Sequence, residues 1–166
     1  MARLHAIFIG LLLIATIGCD TDRLNRLEKQ NEDLKAQITK ENTARNFDLQ
    51  AKCSSASKAW FNENYADTSR EKDTSLLTYS NHYNKASNEC LIVVEYHFNQ
   101  DAMDSWFNDI GLWNVYENSK YGNFVEVHST DYTKNIPNRV DTCEVVGQKC
   151  TNIDQFNGLI QPYMNN

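Results

Sequence analysis

The chain has 166 residues, 41% of them apolar and 23% charged, with 16 basic against 22 acidic side chains and a formal charge of -6. That length suits one domain of ordinary size with a modest core, since domains commonly hold about 100 to 150 residues. The acidic balance and the lack of a basic patch argue against nucleic acid as a partner.

Arg3 and His5 open the chain, Ala6 to Ile17 form an apolar run broken only by Gly10 and Thr16, and Gly18 precedes Cys19. A short basic start, an apolar stretch and a small residue before the cut make up an export signal. Ile7 to Ile17 falls well short of the roughly 20 apolar residues of a membrane-crossing helix, so no mature transmembrane span is expected. The segment Leu13-Ile14-Ala15-Thr16-Ile17-Gly18-Cys19 resembles the signal peptide of bacterial lipoproteins, departing from it at Thr16, where that family usually carries Leu. The resemblance implies removal of residues 1–18, attachment of diacylglycerol and a further acyl chain such as palmitate at Cys19, and a domain on the extracytoplasmic side of a bacterial cell membrane. Two or three acyl chains hold a protein stably where one binds only marginally. Asp20 resembles the residue that retains such lipoproteins in the inner membrane. Loss of residues 1–18 removes only Arg3 from the charged set, leaving 15 basic against 22 acidic side chains.

From Cys19 to Ile110 there is neither glycine nor proline, so nothing punctuates a long helix. Residues 19–50 are expected to form the lipid anchor and a helical or coiled-coil stalk, about 45 Å long over residues 20–50 at 1.5 Å per residue. With Leu24 at heptad position a, the a and d sites are Leu24, Leu27, Asn31, Leu34 and Ile38, after which Glu41, Arg45 and Asp48 break the seam. Leu at d with one Asn at a suits a parallel homo-oligomer, and Arg23 at g can pair with Glu28 at e of a second chain. The alternative is a solvated monomeric helix or tether, because isolated helices of this length are marginal. Lipid plus heptads resembles the Braun-type lipoproteins, which end in a lysine joined to peptidoglycan; this chain ends Tyr163-Met164-Asn165-Asn166.

Residues 51–166 are expected to be a disulfide-supported α+β domain. Cys53, Ala56, Trp60 and Asn64 share a helical stripe ending near Ala66. Ser75 to Tyr83 and Glu89 to Phe98 read as a hairpin, with Cys90, Ile92, Val94, Tyr96 and Phe98 on the face that meets the helix. Met103, Trp106, Phe107 and Ile110 predict a helix over 101–110 stopped by Gly111. Leu112 to Asn118 and Asn123 to Thr130 read as a second hairpin around Lys120-Tyr121-Gly122, followed by an irregular stretch with Pro137. Thr151 and Asp154 have capping-box-like spacing for a last helix, buried through Ile153, Phe156, Leu159 and Ile160 and ended by Pro162. The expected fold is an antiparallel sheet from two hairpins with helices packed on one face, preceded by the stalk. No internal repeat is evident.

Cys53, Cys90, Cys143 and Cys150 are an even set in a chain with an export signal, which points to two disulfides. Three pairings are formally open. Cys143 and Cys150 bracket Glu144 to Lys149, short enough to close on itself, and this leaves Cys53 with Cys90.

His82, His97 and His128 are the histidines beyond the signal, and no metal-ligand spacing or catalytic motif joins them, so no metal, cofactor or catalytic residue is expected. Tyr79, Asn81, His82 and Tyr83 combine rings and hydrogen-bonding groups near a hairpin end and are the candidate interaction residues. Their stretch, Tyr79-Ser80-Asn81-His82-Tyr83-Asn84, resembles one in small uncharacterised bacterial lipoproteins that also carry a Cys-x6-Cys loop and a closing helix; the resemblance implies no activity. Trp106, Trp113 and Tyr116 are further candidates for glycan or protein contact. The function expected is a membrane-tethered cell-envelope lipoprotein presenting a small domain to a protein or envelope partner. The alternative is an envelope hydrolase with its site near the His82 hairpin.

Overall fold

The structure, a computed structural model, describes residues 2–66, 68, 74–100, 105–129 and 138–165; the side chains of residues 2–20 and of Gln100 lie outside that part. The expectations for the signal peptide, for lipidation at Cys19 and for Asp20 fall there, as do Met103 and Pro137. The chain divides into two compact units, Met1–Arg45 and Asn46–Asn166. One helix, α1 (Ala2–Tyr65), contributes to both.

In the first unit the helix satisfies its own polar groups. Arg26 Nε donates to the Asp22 carbonyl at 3.4 Å, and the Thr39 and Thr43 hydroxyls each donate 2.8 Å bonds to carbonyls one turn back. Leu24, Leu27, Leu34 and Ile38 stay 57%, 48%, 55% and 57% exposed. Among the described residues, no helix is long and apolar enough to cross a membrane.

The second unit is an antiparallel meander of six strands in sequence order: β1 (Thr74–Asn84), β2 (Glu89–Gln100), β3 (Ser105–Asn114), β4 (Ser119–Ser129), β5 (Arg139–Val145) and β6 (Gln148–Lys149). A helix, α2 (Ile153–Met164), follows. Strand β2 sets the architecture, because both of its alternations are apolar. Cys90, Ile92 and Val94 pack under Cys53 and Trp60 of α1, whereas Leu91 joins Ile110, Leu112, Phe124 and Val145 beneath Phe156 of α2. Successive strand residues point to opposite faces. The helices therefore cover opposite faces, not one, since a strand apolar on both sides requires two covers. Each large side chain buried in this way contributes about 1.5–3 kcal/mol.

The helix expected over 101–110 is a correction. Residues 105–114 are strand β3, with Phe98 opposite Phe107 and His97 opposite Asn108. The spacing of Trp106, Phe107 and Ile110 fits a helical stripe, but period 2 fits as well, and the free edge of β2 decides between them. Gly111 is thus mid-strand rather than a helix stop. The second hairpin shifts accordingly to β3 and β4, and the Cys143 to Cys150 loop is the β5–β6 hairpin, turning through Val146 (φ 47°) and Gly147 (φ 78°). Positive φ at both central residues matches the twist of the flanking strands. Asn152, not Thr151, caps α2, its side chain accepting from Gln155 N at 2.9 Å. Pro162 lies inside that helix.

The first two hairpins carry a repeated turn that sequence inspection does not reveal. Asn84 Oδ1 accepts from Ala86 N and Ser87 N, and Asn114 Oδ1 accepts from Tyr116 N and Glu117 N, thirty residues on. Each turn closes on an asparagine at positive φ, Asn88 (60°) and Asn118 (50°). Asparagine tolerates that region because its short polar side chain bonds locally.

Candidate functional site

The residues singled out around His82 divide between the faces of β1. Gln50 of α1 bridges two of them, donating to Asn81 Oδ1 at 3.2 Å and accepting from Tyr83 N at 2.8 Å. The Tyr79 ring lies 4.4 Å from Phe61, and the Tyr83 hydroxyl donates to Asn88. These groups hold the sheet to α1. His82 alternates to the other face, where its Nε2 is buried without a hydrogen-bond partner. The four side chains therefore do not meet at one point. Tyr116 is 57% exposed on the second hairpin turn.

A denser constellation surrounds Gly111 on the α1 side of the sheet. Asp109 and Trp113 flank it along β3, and Asn123 of β4 lies opposite. The Trp113 ring is placed by Trp60 of α1, 5.4 Å away. Because Gly111 has no side chain, the indole folds down over it: a Cβ there would stand 2.6 Å from Trp113 Nε1 and 3.4 Å from Lys120 Cε. Lys120 extends across the gap with its ammonium 5.0 Å from the Trp113 ring centre, a cation–π contact.

The polar atoms of this cluster are poorly matched to one another. Trp113 Nε1 and Asn123 Oδ1 are buried with no hydrogen-bond partner. Asp109 is partly buried, and burial raises its pKa while Lys120 opposes the rise. Lys120 is exposed as a whole residue, yet crowding against the sheet lowers its pKa, with Asp109 opposing. The two charges interact without coming into ion-pair contact. Tyr65, near the end of α1, has its hydroxyl pKa raised by burial and then by Asp109. Shifts led by burial thus gather at one place, which is characteristic of functional sites. An open groove of about 300 Å³ adjoins it, lined in part by Lys120, Asn123, Thr142, Glu144 and Gly147.

The opposite face brings together two histidines that spacing along the chain keeps apart. Trp106 stacks on His128 with ring centres 3.6 Å apart, and His97 lies 5.9 Å away on its other flank. Glu95 hydrogen-bonds His97 at 3.0 Å; Glu126 lies 3.1 Å from His128 Nε2 without hydrogen-bond alignment. Asn108 sits between His97 and Glu126 in the register, its Oδ1 buried and unpartnered. The chain carries the signal for this arrangement twice, as Glu95-Tyr96-His97 and Glu126-Val127-His128, since residues two apart share a strand face. Among the described residues, no three His, Cys, Asp or Glu side chains converge as a metal site.

The cysteines pair as Cys53–Cys90 and Cys143–Cys150, with Cα separations of 5.3 and 4.9 Å. Comparison with protein-family models, with curated proteins and with solved structures gives no match.

Proposed function

We propose that the chain is an exported lipoprotein, anchored through Cys19 in a bacterial cell membrane, whose extracytoplasmic domain binds a partner rather than catalysing a reaction. The observation that carries this reading is the use of cysteine. All four cysteines after Cys19 are consumed in two disulfides, as suits an oxidising compartment, and Cys19 alone stands outside that framework, behind an export signal. Mass spectrometry of the protein extracted from membranes tests it. The expected product begins at Cys19 and carries acyl chains; an unmodified Cys19, or a chain still starting at Met1, overturns the proposal.

The reading includes a second copy of the chain as a partner. Leu24, Leu27, Leu34 and Ile38 form an exposed apolar stripe interrupted by Asn31. In a parallel pair, Arg23 at g meets Glu28 at e of the other copy, and the remaining g positions, Gln30 and Gln37, bring no like charges together. Sedimentation equilibrium of the full chain in detergent should give a dimer that Leu27→Asp with Leu34→Asp dissociates. A monomeric parent chain removes self-association from the proposal.

A further inference from the structure

We propose that the open edge of β1 is an interface between domains, pairing antiparallel with β1 of a second copy about a two-fold axis at Tyr79. The contact is separate from the heptad seam of the stalk and holds whether or not Cys19 is lipidated.

The direction in which β1 turns its backbone groups follows from its neighbours. The Cys90 carbonyl accepts from Val115 N at 2.8 Å, so Cys90 turns its polar groups toward β3, and Tyr83, directly opposite on β1, turns its own away from β2. The 2.8 Å bond from Tyr83 N to Gln50 Oε1 agrees, since Gln50 reaches the strand from α1. The register runs unbroken from Leu76 to Asn84, so by alternation Asn81, Tyr79 and Leu77 also turn N–H and C=O outward. β1 is the last strand on its side of the sheet, and among the described residues these backbone groups have no partner.

Edge strands are commonly guarded by lysine, other charges or proline. β5, near the other margin, carries Arg139, Asp141 and Glu144 and is covered in part by β6. β1 has no such guard: its 11 residues, Thr74 to Asn84, include no Lys, Arg, Asp, Glu or Pro. In a chain with a formal charge of -6, two acidic domains can therefore meet here with no like charges opposed.

The strand is also complementary to itself. An axis at Tyr79 sets Tyr79 against Tyr79, Leu77 against Asn81 and Thr78 against Ser80 of the copy. Each opposed pair whose groups face outward exchanges two backbone bonds, so every outward N–H and C=O from Leu77 to Asn81 finds a partner. Pairing stops short of Tyr83, whose N–H Gln50 already holds. Thr78 and Ser80 are exposed, and a Thr–Ser pair is favourable across strands. A second copy is the occupant these observations favour, because it brings an uncharged strand already matched in register, whereas a charged segment would find no ion pair at this edge. One strand edge makes a small contact, so it fills only well above the concentrations at which the stalk seam is assayed.

The test uses the full chain in detergent carrying Leu27→Asp and Leu34→Asp, which removes the stalk seam from the readout, and follows amide signals by NMR from about 50 µM to about 1 mM. The Leu77, Tyr79 and Asn81 amides should shift with concentration and exchange with solvent at least fivefold more slowly at the upper end. The Tyr83 amide should change little. Adding Thr78→Lys with Ser80→Lys opposes like charges across the axis and should abolish these changes, whereas Thr78→Lys with Ser80→Glu opposes unlike charges and should retain them. Unmoved indole signals of Trp60, Trp106 and Trp113 report an intact fold in both variants. Edge amides that do not respond to concentration overturn the self-pairing and leave the edge to a segment of another protein. Changes that survive Thr78→Lys with Ser80→Lys, or that vanish equally with Ser80→Glu, overturn the pairing about Tyr79. A monomeric stalk and an unmodified Cys19 leave each of these outcomes unchanged.

Discussion

Asp109 links one carboxyl group to the pH dependence of the whole fold. Burial disfavours its ionised form, so between the ordinary value of 3.8 and its raised native pKa the folded state holds a proton that the unfolded chain has released. Stability therefore falls as pH rises through that interval and stays reduced at neutral pH. Asp109→Asn should raise the thermal midpoint at pH 7, and calorimetry should show the gain shrinking as pH falls toward 4. Lys120 acts in the opposite sense: its lowered pKa means that stability rises with pH across the interval below 10.5. Val146 is a separate source of strain, a β-branched residue at φ 47° whose N–H donates to the Tyr121 carbonyl at 2.7 Å. The left-handed region costs most residues about 1–2 kcal/mol, and asparagine less. Val146→Asn should keep the hydrogen bond and raise unfolding stability by about 1 kcal/mol, measured by urea titration.

Among the elements, the two disulfides differ in what they close. Cys53–Cys90 spans 37 residues and links α1 to β2, while Cys143–Cys150 spans 7 and closes one hairpin. In the chain-entropy model the longer loop is worth about 4 kcal/mol and the shorter about 2.5 kcal/mol. Replacing Cys53 and Cys90 together by serine should therefore lower the urea midpoint further than replacing Cys143 and Cys150. Both pairings were legible from the chain because only one arrangement gave a short self-closing loop. The α+β class, the antiparallel sheet and the terminal helices were legible from periodicity. Strand β3 was not, because Trp106, Phe107 and Ile110 satisfy both periods and only pairing with β2 separates them. The Gly111 cluster was hidden for a related reason: Asp109 and Lys120 come within electrostatic reach only once β3 and β4 are neighbours. Trp113 could be noted as an aromatic, but its unpartnered N–H depends on the ring lying over a glycine.

Across the whole second unit, α1 and α2 seal opposite faces of one sheet, and Asn84 ties the first hairpin turn to the end of α2 by donating to the carbonyls of Pro162 and Tyr163 at 3.3 Å. The bridge from Cys53 also has a mechanical meaning. It joins α1 to the interior strand β2 rather than to β1, the next strand along the chain. A pull on α1 from its N-terminal side therefore enters the sheet at Cys90, and residues 54–89, β1 included, are shunted out of the load path. Single-molecule extension between the chain ends should release about 120–130 Å more contour length after reduction than before it on account of this bridge alone, given 37 residues at about 3.3–3.6 Å each. Under tension the oxidised domain is loaded at β2, and β1 lies outside the covalent load path.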